Sequence, residues 1–160
     1  MKMRTEQVRI YTFDELNGAA KDKAREWYIK NLDYPWFDES MNSIKVFCDE
    51  FGVRIKDYSI GAFSHSYIET DVENSNFRGL KLKTVKRDNM PTGYCIDCEL
   101  WETFYDYFKR TGDALYAFNE AIDAAVRSIV YDAEYQYTDE SIDEMLKINE
   151  YEFTENGSIY

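Results

Sequence analysis

Two cysteines, Cys95 and Cys98, form a C-x-x-C motif, a spacing found in thiol redox sites and in zinc sites. Together with Cys48 and the single histidine, His65, they would supply a tetrahedral Cys₃His zinc site. No second C-x-x-C accompanies the motif, and Cys48 lies on an apolar helical stripe, where a free cysteine acts as a small hydrophobic residue. We also do not expect the motif at the start of a helix within a βαβ pattern, which a thioredoxin-like role requires. The sequence therefore predicts no metal site and no cofactor.

The tripeptide Ser64-His65-Ser66 places a potential general base between two hydroxyl groups. Adjacent residues of an extended chain point to opposite faces, so this trio is not arranged as a nucleophile with its base. The sequence also lacks the G-x-S-x-G, H-E-x-x-H, P-loop and dinucleotide-binding glycine patterns. We predict that the protein is not an enzyme and that it has no catalytic residues.

The strongest chemical signal is an excess of carboxylates. The 160 residues include 31 Asp and Glu against 19 Lys and Arg, a net charge of −12. Residues 1–96 carry 15 side chains of each sign, whereas the segment 97–160 carries 16 acidic and 4 basic ones. Because nucleic-acid affinity comes largely from cations, we expect no direct nucleic-acid binding, and the basic cluster at residues 78–87 is small. A concentrated negative field attracts basic partners, although an acidic surface can also serve solubility alone.

Part of this acidic segment has helical spacing. Four carboxylates form two columns of residues four apart on a predicted helix: Asp139 with Asp143, and Glu140 with Glu144. Asp132 and Glu134 add charge on the preceding helix. Rows of carboxylates on rigid elements can imitate a phosphate backbone and occupy a basic nucleic-acid-binding groove. The same array is also compatible with an ordinary solvated face.

Aromatic residues are the second feature of this segment. The chain has 14 tyrosines, more than its core needs, and Tyr131 and Tyr135 run alongside the acidic residues. The aromatic side chains of residues 101–108 are too dense for all of them to face inward on one helix. Tyrosine is enriched at protein interfaces, so Tyr131 and Tyr135 are candidate partner-binding residues. The alternative, to which we give equal weight, is that these tyrosines line the rim of a small core.

Alternation of apolar and polar residues predicts the strands of the fold. Three short strands are expected at residues 8–12, 53–60 and 68–72. Near the end of the chain, Asn156-Gly157 is a strong signal for a hairpin. The polar residues 74–93 predict a connection with one short element. Together these segments predict a small antiparallel sheet.

Helical spacing of apolar residues accounts for most of the rest. Thr12 and Glu15 form a capping box that would begin the first helix, and Gly52 would end the second. Further helices are predicted from about residue 99, between residues 112 and 137, and after Thr138. The whole pattern predicts a single α+β domain over residues 1–160, about half helical, with long C-terminal helices.

The sequence has no features typical of an exported protein. Residues 1–9 are charged and contain no apolar run of the kind that a signal peptide has, and no segment approaches the length of a membrane span. Three cysteines do not suggest a disulfide framework. We expect a cytoplasmic protein with no membrane partner.

Both ends of the chain resemble one protein family. The opening, residues 11–16 (Y-T-F-D-E-L) followed by Trp27-Tyr28, and the ending, residues 149–157 (N-E-Y-E-F-T-E-N-G), look like those of a group of small phage and prophage proteins. Some of that group are labelled antitoxins of toxin–antitoxin stability systems. The resemblance supplies no catalytic residues. It implies a phage-encoded protein that acts inside a bacterial host cell, where small acidic phage proteins are often inhibitors of host defence.

The sequence therefore leads to a non-enzymatic acidic interaction protein. Our first hypothesis is a phage-encoded inhibitor of a basic nucleic-acid-binding host protein, a DNA mimic of the anti-CRISPR or anti-restriction type. Its partner-binding residues would be those of the acidic and aromatic sets: Asp132, Glu134, Asp139, Glu140, Asp143, Glu144, Tyr131 and Tyr135. The alternative is an antitoxin-like or regulatory protein that binds a cognate partner through an aromatic surface. A homodimer is left open.

Overall fold

The computed structural model of the chain describes residues 3–160. Its residues group into two compact units, which we call the terminal unit (residues 1–33 and 135–160) and the central unit (residues 34–134). The described residues are 54% helical and contain five α-helices and two small antiparallel sheets. This confirms the predicted α+β class, while the single domain over residues 1–160 stays a prediction.

The described part of the chain contains five α-helices and four β-strands. In chain order they are β1 (Tyr11–Thr12), α1 (Gly18–Lys30), α2 (Phe37–Glu50), β2 (Ile55–Ser59), β3 (Tyr67–Thr70), α3 (Ile96–Thr111), α4 (Ala114–Tyr135), α5 (Asp139–Ile148) and β4 (Glu152–Phe153). Residues 74–93, expected to hold one short element, contain two 3₁₀ turns, Asn74–Phe77 and Leu82–Thr84. The second predicted helix, which ends before Gly52, is confirmed, as are the helices predicted from about residue 99, between residues 112 and 137, and after Thr138.

The terminal unit is built from the two ends of the chain. Its sheet pairs β1 with β4 in antiparallel register, Tyr11 opposite Phe153. The strand predicted at residues 8–12 is thus confirmed only for its last two residues, because β4 offers only two residues for pairing. Helices α1 and α5 pack beside this sheet, and their buried face forms one core: Phe13, Leu16, Ala20, Ala24, Ile142, Leu146 and Phe153.

The predicted start of the first helix is wrong. The Thr12 N–H does donate to the Glu15 carboxylate at 2.8 Å, but this contact closes only a single 3₁₀ turn. Leu16 then takes an extended conformation, and α1 begins at Gly18, capped by Asn17, whose Oδ1 accepts from the Ala20 N–H at 2.9 Å. The extended residue allows the buried Leu16 and the 3₁₀ turn before it to pack on the same core.

The hairpin predicted at the end of the chain is confirmed. Phe153 pairs with Ile159, and the Thr154 N–H donates to the Ser158 carbonyl at 2.8 Å. Gly157 in this turn has φ +80°, and a β-carbon there would overlap the backbone carbonyl of Ala20 in α1. Only glycine satisfies both the left-handed backbone and this close approach.

The central unit packs α2, α3 and α4 around an aromatic core. Phe47 of α2 and Phe118 of α4 stack with their ring centroids 5.2 Å apart, and Phe104 of α3 is fully buried beside them. In the aromatic run of α3, Trp101 and Phe104 are buried, whereas three further rings are only partly so: Tyr105, Tyr107 and Phe108. The core therefore absorbs much of the aromatic content that the sequence analysis considered for an interface.

The second sheet of the structure belongs to the central unit. β2 and β3 pair in antiparallel register from Ile55 opposite Thr70 to Ser59 opposite Tyr67, with a bulge after Ile55. Gly52, at φ +66°, lies between α2 and β2, as predicted for a glycine just after a helix. Ile55 and Ile68 of this hairpin pack against the core, whereas the other four residues of β2 are exposed.

Candidate functional site

Helix α5 carries four of the eight residues in the predicted partner-binding set. The Thr138 hydroxyl accepts from the Ser141 N–H at 3.3 Å and caps the helix, as the sequence predicted. Ser141, Ile142 and Leu146 are buried against α1, so the opposite side of α5 is held on the surface of the terminal unit. The four carboxylates are thereby attached to a rigid element.

The first carboxylate column contacts a cation from α1. Arg25 donates to Asp143 from Nε at 2.7 Å and from Nη2 at 2.8 Å, a bidentate pair. Its Nη1 atom lies 3.0 Å from Asp22 and 3.8 Å from Asp139. These bonds lower the pKa of Asp143, and they raise the pKa of Arg25. Three carboxylates thus surround one guanidinium, and the group keeps an excess of two negative charges.

The second column has no such partner. Glu140 and Glu144 are exposed, and within residues 3–160 neither forms an ion pair. Lys147, the only cation of the last turn of α5, binds Asp14 at 2.8 Å. The two columns therefore differ, since Asp143 is neutralised within the protein while Glu140 and Glu144 face solvent.

Asp132 of α4 is a structural residue of the central unit. Its Oδ2 accepts a hydrogen bond of 2.7 Å from the Tyr34 hydroxyl, and both side chains are half-buried. Burial and this bond raise the pKa of Tyr34. The Asp132 charge is thus turned toward the segment that leads into α2 and is less available to a partner than the carboxylates of α5.

Glu134 and Tyr131 lie one turn apart on α4 in the central unit. The Glu134 carboxylate accepts from the Phe63 N–H at 3.1 Å, in the loop between β2 and β3. Phe63 has φ +56°, a strained value for a non-glycine residue, and its side chain is 73% exposed. Tyr131 is 74% exposed. We call Phe63 and Tyr131 the exposed aromatic pair.

Tyr135, the last residue of α4, lies at the start of the second segment of the terminal unit. It is 37% exposed, and its carbonyl accepts from both the backbone and the hydroxyl of Thr138, at 3.0 and 2.7 Å. The predicted set is therefore divided between the units. The terminal unit holds Tyr135 with the four carboxylates of α5, and the central unit holds Tyr131, Asp132 and Glu134.

Folding redistributes the charge along the chain. The terminal unit contains 13 acidic and 8 basic residues, a net charge of −5, and the central unit contains 18 and 11, a net charge of −7. The contrast between residues 1–96 and 97–160 does not correspond to these units. The basic residues of positions 1–33 share the terminal unit with the acidic residues of positions 135–160. Arg25 can therefore reach Asp143, 118 positions away.

One buried carboxylate, Asp97 in the first turn of α3, was not among the predicted site residues. It is fully buried, and its Oδ2 accepts from the Thr92 N–H, the Thr92 hydroxyl and the Gly93 N–H at 2.8, 2.8 and 3.0 Å. The Thr92 hydroxyl also lies 2.9 Å from that of Ser43 on α2. The sequence signal for Asp97 was an acidic residue in the first turn of a helix, shortly after a Thr-Gly pair. These bonds tie the connection before α3 to the helix.

The C-x-x-C motif lies at the start of a helix, contrary to expectation. Cys95 is the N-cap residue of α3 and Cys98 lies in its first turn, although irregular chain, not a strand, precedes them. Both thiols are exposed and free, whereas Cys48 is buried in the core, where burial raises its pKa to about 12. Within residues 3–160, no three or more His, Cys, Asp or Glu side chains are grouped to hold a metal ion.

His65 lies in the exposed loop between β2 and β3. Its ring stacks on Tyr67 with centroids 5.8 Å apart. The hydroxyl groups of Ser64 and Ser66 both donate to the Gly61 carbonyl at 3.2 Å. The two serines therefore brace the loop and make no hydrogen bond to the imidazole.

Comparisons with protein-family models, with curated proteins and with solved structures find no match for this chain. Within residues 3–160, no helix combines the length and the apolar character needed to cross a membrane.

Proposed function

We propose that the protein is a non-enzymatic, phage-encoded inhibitor that binds a basic nucleic-acid-binding protein of its bacterial host. It would act in the host cytoplasm as a DNA mimic, of the anti-CRISPR or anti-restriction type. The binding surface would be the exposed carboxylates of α5, Asp139, Glu140 and Glu144, together with Asp22 of α1. We call these four residues the α5 acidic surface.

The observation that carries this proposal is the contrast between the two sides of α5. One side is buried in the core of the terminal unit, and the other presents Glu140 and Glu144 to solvent, with no cation paired to either among residues 3–160. Like charges one turn apart destabilise a helix by a few tenths of a kcal/mol. A rigid helix that retains this repulsion suits a surface selected for a basic partner.

Arg25 supports the same surface. It is 21% exposed and lies among Asp22, Asp139 and Asp143, so it fixes carboxylates without cancelling their charge. Preorganised charges bind with less loss of side-chain entropy than mobile ones. A basic groove that normally holds phosphates would meet fixed carboxylates here, and the interaction would weaken with added salt.

The test is affinity capture from a bacterial lysate with the full chain as bait, at about 50 and about 500 mM salt. We expect nucleic-acid-binding proteins to be captured at low salt and released at high salt, and duplex DNA to compete for them. The variant D139K/E140K/E144K should lose capture.

A matched control carries the same change of charge elsewhere. Asp49, Asp88 and Asp123 of the central unit are exposed and, within the described residues, form no ion pair. The variant D49K/D88K/D123K should keep its capture. If both variants lose capture equally, the loss would follow from net charge and not from the α5 acidic surface. Capture that resists both salt and DNA would contradict the DNA-mimic function.

The exposed aromatic pair favours a second candidate, an antitoxin-like or regulatory protein with one cognate partner. Phe63 and Tyr131 expose about three-quarters of their surface, and the strained backbone of Phe63 is held by Glu134. Large aromatic side chains on a fixed backbone are typical anchors of protein interfaces.

This candidate predicts a different response. Binding should persist at high salt, and F63A or Y131A should weaken it by roughly tenfold or more. Y135A, in the terminal unit, tests the remaining predicted aromatic residue. Loss of binding in the aromatic variants with no loss in D139K/E140K/E144K would favour this function over the first.

A further inference from the structure

A cysteine and a methionine are in contact at the start of α3. Cys98 Sγ is 3.3 Å from the thioether Sδ of Met90. Cys95 is the N-cap residue, and the Cys98 N–H donates to its carbonyl at 3.1 Å. Cys95 has helical dihedral angles and lies three positions before Cys98, a spacing that brings two side chains to the same face of a helix. All three residues are exposed, Met90 by 41%.

The segment that carries Met90 is fixed in place. The Gly93 N–H donates to the Met90 carbonyl at 3.2 Å and also to Asp97 at 3.0 Å. Thr92, between them, binds the same Asp97 carboxylate. The buried Asp97 thus lies between the two cysteines in sequence and holds the methionine segment beside them. The sulfur atoms of Met90 and Cys98 are therefore preorganised, and Cys95 lies one helical turn before Cys98.

The type of donor indicates the ligand. Thiolate and thioether sulfur are soft ligands that select Cu(I), whereas a structural zinc site takes four ligands from Cys, His, Asp or Glu. Glu99 and Glu102 lie close to Cys98, but carboxylates are hard donors, and the described residues hold no zinc-type grouping. Two thiols and one thioether match a low-coordinate soft cation.

We propose that Cys95, Cys98 and Met90 form a binding site for one Cu(I) ion. On binding, the two S–H bonds break, their protons pass to solvent, and two copper–thiolate bonds form while Met90 supplies the third sulfur. Copper stays in the +1 state, so no oxidant or reductant is consumed. This site lies in the central unit, is separate from the α5 acidic surface and does not depend on the proposed function.

The experiment is an anaerobic titration of the reduced full chain with Cu(I) in competition with a chromogenic Cu(I) chelator. One equivalent should be retained per chain. C95S and C98S should each abolish competition, and M90L should lower the affinity by roughly tenfold. M3L, which changes another exposed methionine, and C48A, which changes the buried thiol, should retain one equivalent.

A second measurement needs no variant. Cu(I) should protect two of the three thiols of the native protein from alkylation, as counted by mass spectrometry, and Zn(II) should protect none. Failure to compete with the chelator would overturn the proposal, as would one-equivalent binding that survives in C98S. Equal protection by Zn(II) would overturn the assignment to a soft monovalent ion.

Discussion

The two units use their carboxylates differently. In the central unit, Asp97, Asp132 and Glu134 accept hydrogen bonds from uncharged donors of the same unit and hold local structure. In the terminal unit, the carboxylates of α5 surround one arginine or face solvent. A carboxylate with internal donors has a structural explanation, whereas one without them leaves charge available to a partner. Glu140 and Glu144 lie one turn apart on α5, whereas the exposed carboxylates Asp49, Asp88 and Asp123 of the central unit lie on three separate segments. The terminal unit therefore holds the more concentrated of these exposed charges, although the central unit carries the larger net charge.

Their cores differ as well. The central unit packs stacked and edge-on rings around Phe47, Phe104 and Phe118. The terminal unit has a smaller core with fewer ring contacts, such as Phe13 with Phe153 at 6.4 Å. In the terminal unit a backbone contact at Gly157 adds to this small core. The terminal unit should therefore depend on this backbone contact, and the central unit on its aromatic packing.

The largest effect is expected from Gly157→Ala. Its β-carbon would overlap the Ala20 carbonyl, and its φ of +80° disfavours any other residue, so the free energy of unfolding should fall by about 4 kcal/mol or more. Gly79→Ala in the central unit is the control, because φ is +76° there but the space is open, and it should cost about 1–2 kcal/mol. Urea denaturation measures both, and equal losses would show that the close approach to α1 is unimportant.

Phe118→Ala should come next. Truncating this buried ring removes the stack with Phe47 and should lower the free energy of unfolding by about 3–5 kcal/mol. Tyr131→Ala, on the same helix but 74% exposed, should change it by less than about 0.5 kcal/mol. A comparable loss in Tyr131→Ala would mean that this side chain is part of the packing and not a free anchor.

The Arg25–Asp143 pair should contribute a smaller, pH-dependent amount. A double-mutant cycle of R25Q and D143N should give a coupling of about 1 kcal/mol at neutral pH, since both side chains are partly exposed. Arg25 lowers the pKa of Asp143 in the folded state, so this stability is fully present above the pKa of the unfolded carboxyl, about 4. It should disappear as the pH falls through the lower folded pKa. A coupling that is constant down to about pH 2 would contradict this assignment.

The smallest effect concerns Glu140 and Glu144. Replacing both with Gln should leave the protein as stable or raise its free energy of unfolding by a few tenths of a kcal/mol, because it removes a like-charge repulsion. Thermal denaturation at low and high salt would show the difference shrinking with salt. A loss above about 1 kcal/mol would place these residues in an internal network and remove them from the α5 acidic surface.

Local sequence signals predicted the elements that depend on nearby residues. Thr138 as a cap, Gly52 after α2 and the Asn156-Gly157 turn are all confirmed, because their contacts lie within a few positions. The capping box at Thr12 and Glu15 formed the predicted contact, yet the helix began later, since the packing of Leu16 overrode the local preference. Local chemistry thus predicted contacts better than it predicted element boundaries.

The composition by itself determined that the chain is acidic and rich in tyrosine, and the periodicity of its apolar residues predicted helices with small sheets. Only the tertiary structure decided which carboxylates remain exposed, because that depends on whether a donor arrives from elsewhere in the chain. Arg25 reaches Asp143, and Tyr34 reaches Asp132 across 98 positions, and no periodicity in the sequence records either pairing. The same holds for the sulfur atoms at α3, where Met90 is brought to Cys98 by the buried Asp97. Charge and donor type are properties of residues, but their availability to a partner or a metal is a property of the fold.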